Sequence, residues 1–354
     1  MAGSPPPLKI DRDDLFSHEV EDYLSVQQNL RQNRSEAEPL AWWVRILYSN
    51  WFYLSLAAGV GAFLAWAVLE PFTSDLDEED SVGLLLFPTV AAGVGLFLGA
   101  AEGLMCRNLG RAAFSALVGT VVGFVGGWVL LIPATIAFVA GVQLAVGLGG
   151  DRNVDGLPGG FGMLVFIMAR ATAWAIVAIA AGIGQGTALW QGKVVLNGVL
   201  GAALGGLLGG LLFDPLNLLL PAVDGEAALS RCVGLTLIGL MVGLFVGLIE
   251  GWTKNAWLLM KHGPLAGKQF ILHRDATVLG RSPRCEIYLF KDPAIEPRHA
   301  IIHNRGGRFE IEDCETPDGT FVNDRRVTGR AWLHSGDEIM LGETVLEFSL
   351  RDTE

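Results

Sequence analysis

At 354 residues, with a hydrophobic fraction of 51%, a mean hydropathy of +0.43 and 46 glycines, the chain has room for more than one domain and lacks the composition of an ordinary soluble enzyme. That composition points to a membrane protein whose helices approach closely. A net charge of −12 leaves no basic stripe to displace counterions, which excludes nucleic acid as the expected partner. Cys106, Cys232, Cys285 and Cys314 form no Cys-x-x-Cys pair and suit a reducing compartment.

Residues 1–45 read as a polar cytosolic tail with a Pro5-Pro6-Pro7 run and no secretory signal. Between Asp13 and Asn33, Leu15, Phe16, Val20, Tyr23, Leu24, Val26 and Leu30 recur at helical spacing, and Asp11 or Asp13 is the candidate cap. The helix is expected to pack on its own protein, with partner docking or membrane-surface binding as the alternative. Trp42 and Trp43 beside Arg45 mark an interfacial belt. The first threonine is Thr73, so the tail offers no phosphothreonine.

Residues 46–254 contain six stretches long and apolar enough to cross a bilayer: Trp51–Leu69, Val82–Ala101, Ala112 to about Pro133, Ala171–Trp190, Val194–Phe213 and Val233–Ile249. Arg31, Arg34, Arg45, Arg107, Arg111, Lys193, Lys254 and Lys261 fall on one side of these spans. The acid-rich loops at Glu70–Asp80, Asp151 with Asp155, and Asp214 with Asp224 and Glu226 fall on the other. The positive-inside rule therefore predicts a multi-pass cytoplasmic-membrane protein with both termini in the cytoplasm. The uncharged run Ala112–Gly150 exceeds one ordinary span, and Phe161–Ala169 is apolar too. Either is a candidate outer-leaflet or re-entrant helix, with Arg170 at the interface.

The spans share a template. Ala91-Ala92-Gly93-Val94-Gly95 with Glu102-Gly103 answers Ala180-Ala181-Gly182-Ile183-Gly184 with Gln191-Gly192, and Gly243, Gly247 and Glu250-Gly251 repeat the ending. Three helical hairpins in a pseudo-threefold arrangement are expected. Gly119, Gly123 and Gly127, and likewise Gly201, Gly205 and Gly209, line helix faces that permit close packing in lipid. A self-packed bundle is the default reading, and a homo-oligomer or pore the alternative. Glu102, Gln191 and Glu250 are candidates to ring an entrance. The competing reading has Arg107 and Lys254 dressing the two glutamates as interfacial helix ends.

No catalytic set emerges, and neither an enzyme nor a cofactor is expected. Gly263-Pro264-Leu265-Ala266-Gly267-Lys268-Gln269 imitates a phosphate loop but is one residue short and lacks the hydroxyl after Lys268. Gly93-Val94-Gly95 and Gly182-Ile183-Gly184 lie inside spans rather than after strands. No metal is expected, because His299 and His303 lack a third ligand.

From residue 261 to 354 the pattern changes to short alternating segments broken by Gly, Pro, Asp and Asn, which predicts an all-β sandwich. Gly280-Arg281-Ser282, Arg298-His299-Ala300, Asp313, Gly319-Thr320-Phe321-Val322-Asn323, Leu333, Gly336-Asp337, Ile339 and Gly342 follow in order. This stretch resembles a forkhead-associated (FHA) domain. The resemblance implies an eleven-strand sandwich whose loops at one end bind phosphothreonine peptides, with Gly280, His299, Gly336 and Asp337 structural.

By the same resemblance, the binding loops carry Arg281, Ser282, Arg284, Glu296, Arg298, Asp318, Gly319, Thr320 and Asn323. The family's pocket Ser, Thr and Asn fall here on Glu296, Pro317 and Asp318, whereas Arg281 is kept. A phosphate dianion favours cationic forks, so Arg281 is expected to pair internally with Glu296 or Asp318 unless Ser282 or Arg284 supplies replacement donors. The expected function is membrane-anchored recruitment or scaffolding of a cytosolic protein, read through phosphothreonine or independently of phosphate. The rival classes are a channel or transporter regulated by this domain and a structural membrane assembly protein.

Overall fold

The computed structural model describes residues 41–73, 82–148, 158–188, 191–219 and 228–351. The expected amphipathic helix between Asp13 and Asn33 lies outside them. A short helix α1 (Trp42–Leu47) leads into six long helices: α2 (Asn50–Leu69), α3 (Val82–Met105), α4 (Leu109–Leu148), α5 (Gly160–Ala188), α6 (Gly192–Leu219) and α7 (Ala228–Thr253). All six are long and apolar enough to cross a membrane. Their outward positions are apolar, as at Leu56, Val60 and Phe63 on α2 and Leu117, Val121 and Val125 on α4.

The long uncharged run forms no separate re-entrant element. It is one 40-residue helix, α4, which continues through Pro133. At 1.5 Å per residue it measures about 60 Å, roughly twice a bilayer's hydrocarbon core. Phe161–Ala169 belongs to α5, so Arg170 lies inside a helix, where it pairs with Asp214 of α6. The carbonyl of Leu131 accepts from Thr135 Oγ1 at 2.8 Å in the turn that holds Pro133.

Each long helix packs against its neighbours in sequence, and α2 closes on α7, which makes a ring. The second members of the hairpins, α3, α5 and α7, also meet across its middle. Glycine makes this possible. A methyl on Gly61 would strike the Gly93 backbone, one on Gly95 that of Gly119, and one on Gly182 that of Gly198. Gly201, Gly205 and Gly209 admit Val246, Val242 and Ile238, whereas Gly119, Gly123 and Gly127 admit Gly95, Ala91 and Pro88. Both glycine faces are therefore occupied within one chain, packing backbone on backbone as small residues allow.

The register of the hairpin turns differs from the expected one. Gly103 meets Ala112, and Gly186, not Gly192, makes the same contact with Val195. The matching turns thus follow Glu102-Gly103 and Gln185-Gly186. Equal spacing misaligned the second hairpin because its helix turns into α6 sooner after Gly182 than α3 turns into α4 after Gly93. The dressing of helix ends by basic residues is also corrected. Lys254 donates to Gln269 Oε1 at 2.6 Å and lies 4.0 Å from the Trp257 ring centre, while Arg107 faces the Phe290 ring. Glu250 is buried at 5% exposure, with Gln185 Nε2 donating to its Oε1 at 2.8 Å.

Two residues after α7, the chain enters an eleven-strand sandwich: β1 (Ala256–His262), β2 (Gln269–Ile271), β3 (Ala276–Gly280), β4 (Ile287–Tyr288), β5 (Ala300–Arg305), β6 (Arg308–Asp313), β7 (Thr320–Val322), β8 (Arg325–Arg326), β9 (Arg330–Leu333), β10 (Glu338–Leu341) and β11 (Thr344–Leu350). One sheet runs β2-β1-β11-β10-β7-β8 and the other β4-β3-β5-β6-β9. Leu258, Met260, Leu279, Ile302, Ile311, Ile339, Leu346 and Phe348 fill the space between them. The sandwich starts at Ala256, ahead of the expected boundary at 261. Trp257-Leu258-Leu259-Met260 continues the apolar run of the last span, so hydropathy alone could not separate strand from helix.

Gly182→Leu should overpack the α5–α6 contact and destabilise the bundle by about 1–3 kcal/mol. Gly251→Ala, where an added methyl meets nothing within 4 Å, should be neutral. Thermal unfolding of the detergent-solubilised variants checks both, and equal losses would refute the close-packed ring.

Candidate functional site

Three loops converge at one end of the sandwich because backbone pairing continues past the strands. Arg281 N–H donates to the Glu296 carbonyl at 2.9 Å, Ser282 N–H to Pro297 O at 3.1 Å, and His299 N–H to Leu279 O at 2.9 Å. The β3–β4 loop thus lies along residues 296–299. Gly280 is required there, since a side chain would meet the Pro297 carbonyl and stand 3.0 Å from Arg298 Cα.

His299, fully buried, draws in the third loop. Its Nδ1 accepts from the Glu296 N–H at 3.1 Å, so the proton of the neutral ring sits on Nε2, which faces Gly319 O at 3.3 Å and Thr316 Oγ1 at 3.2 Å. Thr316 Oγ1 in turn donates to Asp313 Oδ1 at 2.9 Å, and Thr320 Oγ1 donates to the same oxygen at 2.6 Å. Arg326 Nη2 reaches the carbonyls of Thr316 and Pro317 from outside. Burial alone would raise the Asp313 carboxyl. The Thr320 hydroxyl and the Thr316 N–H and hydroxyl outweigh it and hold the group below the usual carboxylate range.

On this frame Arg281, Arg284, Glu296, Arg298 and Asp318 are exposed and Ser282 is half-buried. The expected internal neutralisation does not occur: among the described residues Arg281 forms no ion pair with Glu296 or Asp318. The sandwich's ion pairs lie elsewhere, joining Arg274 to Glu286, Arg305 and Arg330 to Glu310, and Lys261 to Glu338 and Glu347. The Arg281–Glu296 association is made by backbone, which leaves both side chains directed at solvent. Burial raises the Cys285 and Cys314 thiols above their ordinary value, and Arg298 beside Cys314 only partly offsets it. Neither is therefore an activated nucleophile.

Residues 277–342 match the family described as FHA domain. An oxoglutarate dehydrogenase inhibitor of Corynebacterium jeikeium is 38% identical over 102 residues, which are 29% of this chain and 67% of that protein. This chain is an FHA-domain protein. The glycogen accumulation regulator GarA of Mycolicibacterium smegmatis is 38% identical over 27% of this chain and 58% of its own length. The chain thus spans about 58–67% of the length of these relatives. A solved FHA domain from an Arabidopsis thaliana hypothetical protein is similar at 26% identity, over 29% of this chain and 90% of its own, with a TM-score of 0.27.

Not every expected loop residue faces the FHA surface. Thr320 is fully buried on Asp313. Asn323, in left-handed backbone at φ +48°, lies at the far end of β7. Its Nδ2 donates to Asp337 Oδ1 at 2.7 Å and its Oδ1 accepts from Glu338 N–H. Gly319 and Gly336 take positive φ, as turn glycines do. Asp292, missed in the sequence, accepts from the N–H of Glu343 and from the N–H and hydroxyl of Thr344, tying the β4–β5 loop to the β10–β11 turn. Also missed were Asn108, whose Nδ2 donates to Pro283 O at 2.7 Å, and Arg111, whose Nη1 donates to Glu286 O at 3.0 Å. These bonds seat the β3–β4 loop on the turn between α3 and α4. Nothing in local sequence links residues so far apart.

Asp313→Ala should release the β6–β7 loop at a cost of about 1–3 kcal/mol, seen as lost hydrogen-exchange protection over residues 313–320. Because the Asp313 pKa is depressed on folding, its stabilisation is present above the ordinary carboxylate range and disappears as pH falls through the lowered value. Protection in the wild type should therefore weaken at acid pH towards that of Asp313→Asn. An acid-insensitive loop would contradict this role.

Proposed function

We propose that this chain is a multi-pass membrane protein that holds its FHA domain at the cytosolic face to recruit a phosphothreonine-bearing protein. One observation carries the reading: the loops present Arg281, Arg284 and Arg298 exposed at the end of the sandwich, none paired to Glu296 or Asp318 among the described residues. Guanidinium forks bind phosphate through charge-assisted bonds, and Arg281 occupies the position the family uses for it. Among the described residues Glu296 and Asp318 have no partner cation, so they favour a peptide with Lys or Arg beside the phosphothreonine.

The membrane side of the proposal is supported by the six apolar helices and by charge. Arg107, Arg111, Lys193 and Lys254 lie at the end that meets the FHA domain, with Glu70 and Asp214 at the other. A scaffold that polymerises through its glycine faces is disfavoured, since those faces are filled within the chain.

The test is a titration of the full-length protein in detergent with phosphothreonine and matched threonine peptide libraries, basic and acidic flanks included. Phosphate-selective binding, at least about tenfold weaker in Arg281→Ala, is expected. Equal binding of both libraries would move the function to phosphate-independent contact.

A further inference from the structure

Where the FHA domain meets the helices lies a cavity of about 440 Å³, within the range of small-molecule sites, about 300–1,000 Å³. Arg111 and Phe114 of α4 line one wall, and Arg274, Arg284 and Glu286 of the sandwich line the other. Hydrogen bonds fix the walls together. Arg111 Nη1 donates to the Glu286 carbonyl at 3.0 Å, and Asn108 Nδ2 donates to Pro283 O at 2.7 Å. Arg274 Nη1 donates to Glu286 Oε1 at 2.8 Å, and the Val278 N–H donates to Glu286 Oε2 at 3.0 Å. Both carboxylate oxygens of Glu286 are therefore engaged within the sandwich.

The cavity keeps a positive balance. Glu286 is the one acid among the described residues that line it, and its ion pair is with Arg274. Among the described residues Arg111 and Arg284 form no ion pair. Glu102 of α3 also acts on Arg111, and with it counted three guanidiniums still face two carboxylates. A guanidinium carries five N–H donors, of which Arg111 commits one to the Glu286 carbonyl. The cavity thus suits an anion with several acceptor oxygens.

Its position decides which anion. Trp43 and Trp252, 58% and 62% exposed, lie at the same end of the helices, as an aromatic belt does at a membrane boundary. Phe114 lines the cavity and is itself exposed, so the cavity borders the outward face of α4, where Leu117 and Val121 continue the apolar surface. An anion that reaches the arginines from this side can lay an apolar tail along that face. Basic pockets beside spans on the cytoplasmic side take lipid headgroups in this way.

We propose that this cavity binds the phosphodiester headgroup of an anionic phospholipid, with Arg111 and Arg284 as donors, Arg274 adding charge, and the acyl chains along Phe114, Leu117 and Val121. The site rests on the membrane reading of the six helices, and it leaves Arg281 and Arg298 to a phosphorylated partner.

Membranes of the producing cells are first washed with alkaline carbonate. Release of the wild type would overturn the membrane reading and the site with it, whereas retained protein puts the site alone to the test. The full-length protein in neutral detergent is then titrated with phosphatidylglycerol or with phosphatidylcholine of the same acyl chains. These lipids differ in headgroup charge, and a ligand of the folded state raises the unfolding temperature. Half-saturation should need at least about tenfold less phosphatidylglycerol than phosphatidylcholine. Arg111→Gln/Arg284→Gln should lose at least about tenfold of that affinity, whereas Arg308→Gln, which removes an exposed charge of β6 outside the cavity, should keep it. If the double variant does not fold, Arg284→Gln, a change at an exposed side chain, is read on a loss of at least about threefold. Equal response to both lipids would overturn the site, as would an undiminished phosphatidylglycerol affinity in the arginine variant. Stabilisation by sodium phosphate with no preference between the lipids would make this an inorganic-anion site. A double variant that loses only phosphothreonine-peptide binding would give the cavity to the peptide, and either result overturns the lipid.

Discussion

Backbone contact between helices is the constraint on which this molecule rests. Apolar helices that meet along small residues associate through surfaces that fit. Gly61 against Gly93, Gly95 against Gly119 and Gly182 against Gly198 supply that fit around the ring. Close approach then has an electrostatic consequence. It brings the ends of α3, α5 and α7 together, so side chains that would be solvated on separate helices share one small volume. Gln185 and Glu250 meet at 2.8 Å because glycines upstream permit it.

The FHA domain is likewise held by more than a linker. Asn108 and Arg111 bind carbonyls of the β3–β4 loop, Lys268 enters the bundle, and Tyr48 and Cys106 pack against the sandwich core. The loop that carries Arg281 and Arg284 is thus the one seated on the α3–α4 turn. The same stretch of backbone is therefore held both by the sandwich and by the helices.

The sandwich was legible because its chemistry is local. Gly280-Arg281, His299 and Gly319-Thr320 each report a turn or a hydrogen bond that needs that residue type, and the order of the motifs supplied the rest. The six helices were legible from hydropathy, although charge-free sequence at Ala112–Gly150 could not show whether the chain turns or continues. Contacts between distant segments stayed hidden. Glu250 looked like an ordinary helix end because Lys254 follows closely, yet Lys254 turns to Gln269 of the sandwich and the buried carboxylate is held by Gln185 of another helix. The repeat was visible and its register was not, since the hairpins turn at different distances from their shared glycines. At the binding loops, residue types suggested neutralisation, whereas pairing through the Glu296 carbonyl leaves the Arg281 side chain outside.

Strand order also bears on biosynthesis. Strand β1 lies between β2 and β11, so its second edge stays unpaired until β11 has been made and inserted beside it. The helices, complete at Thr253, leave the ribosome first, and the α3–α4 turn is made before the β3–β4 loop that it seats. The sandwich therefore closes last, over helices already made.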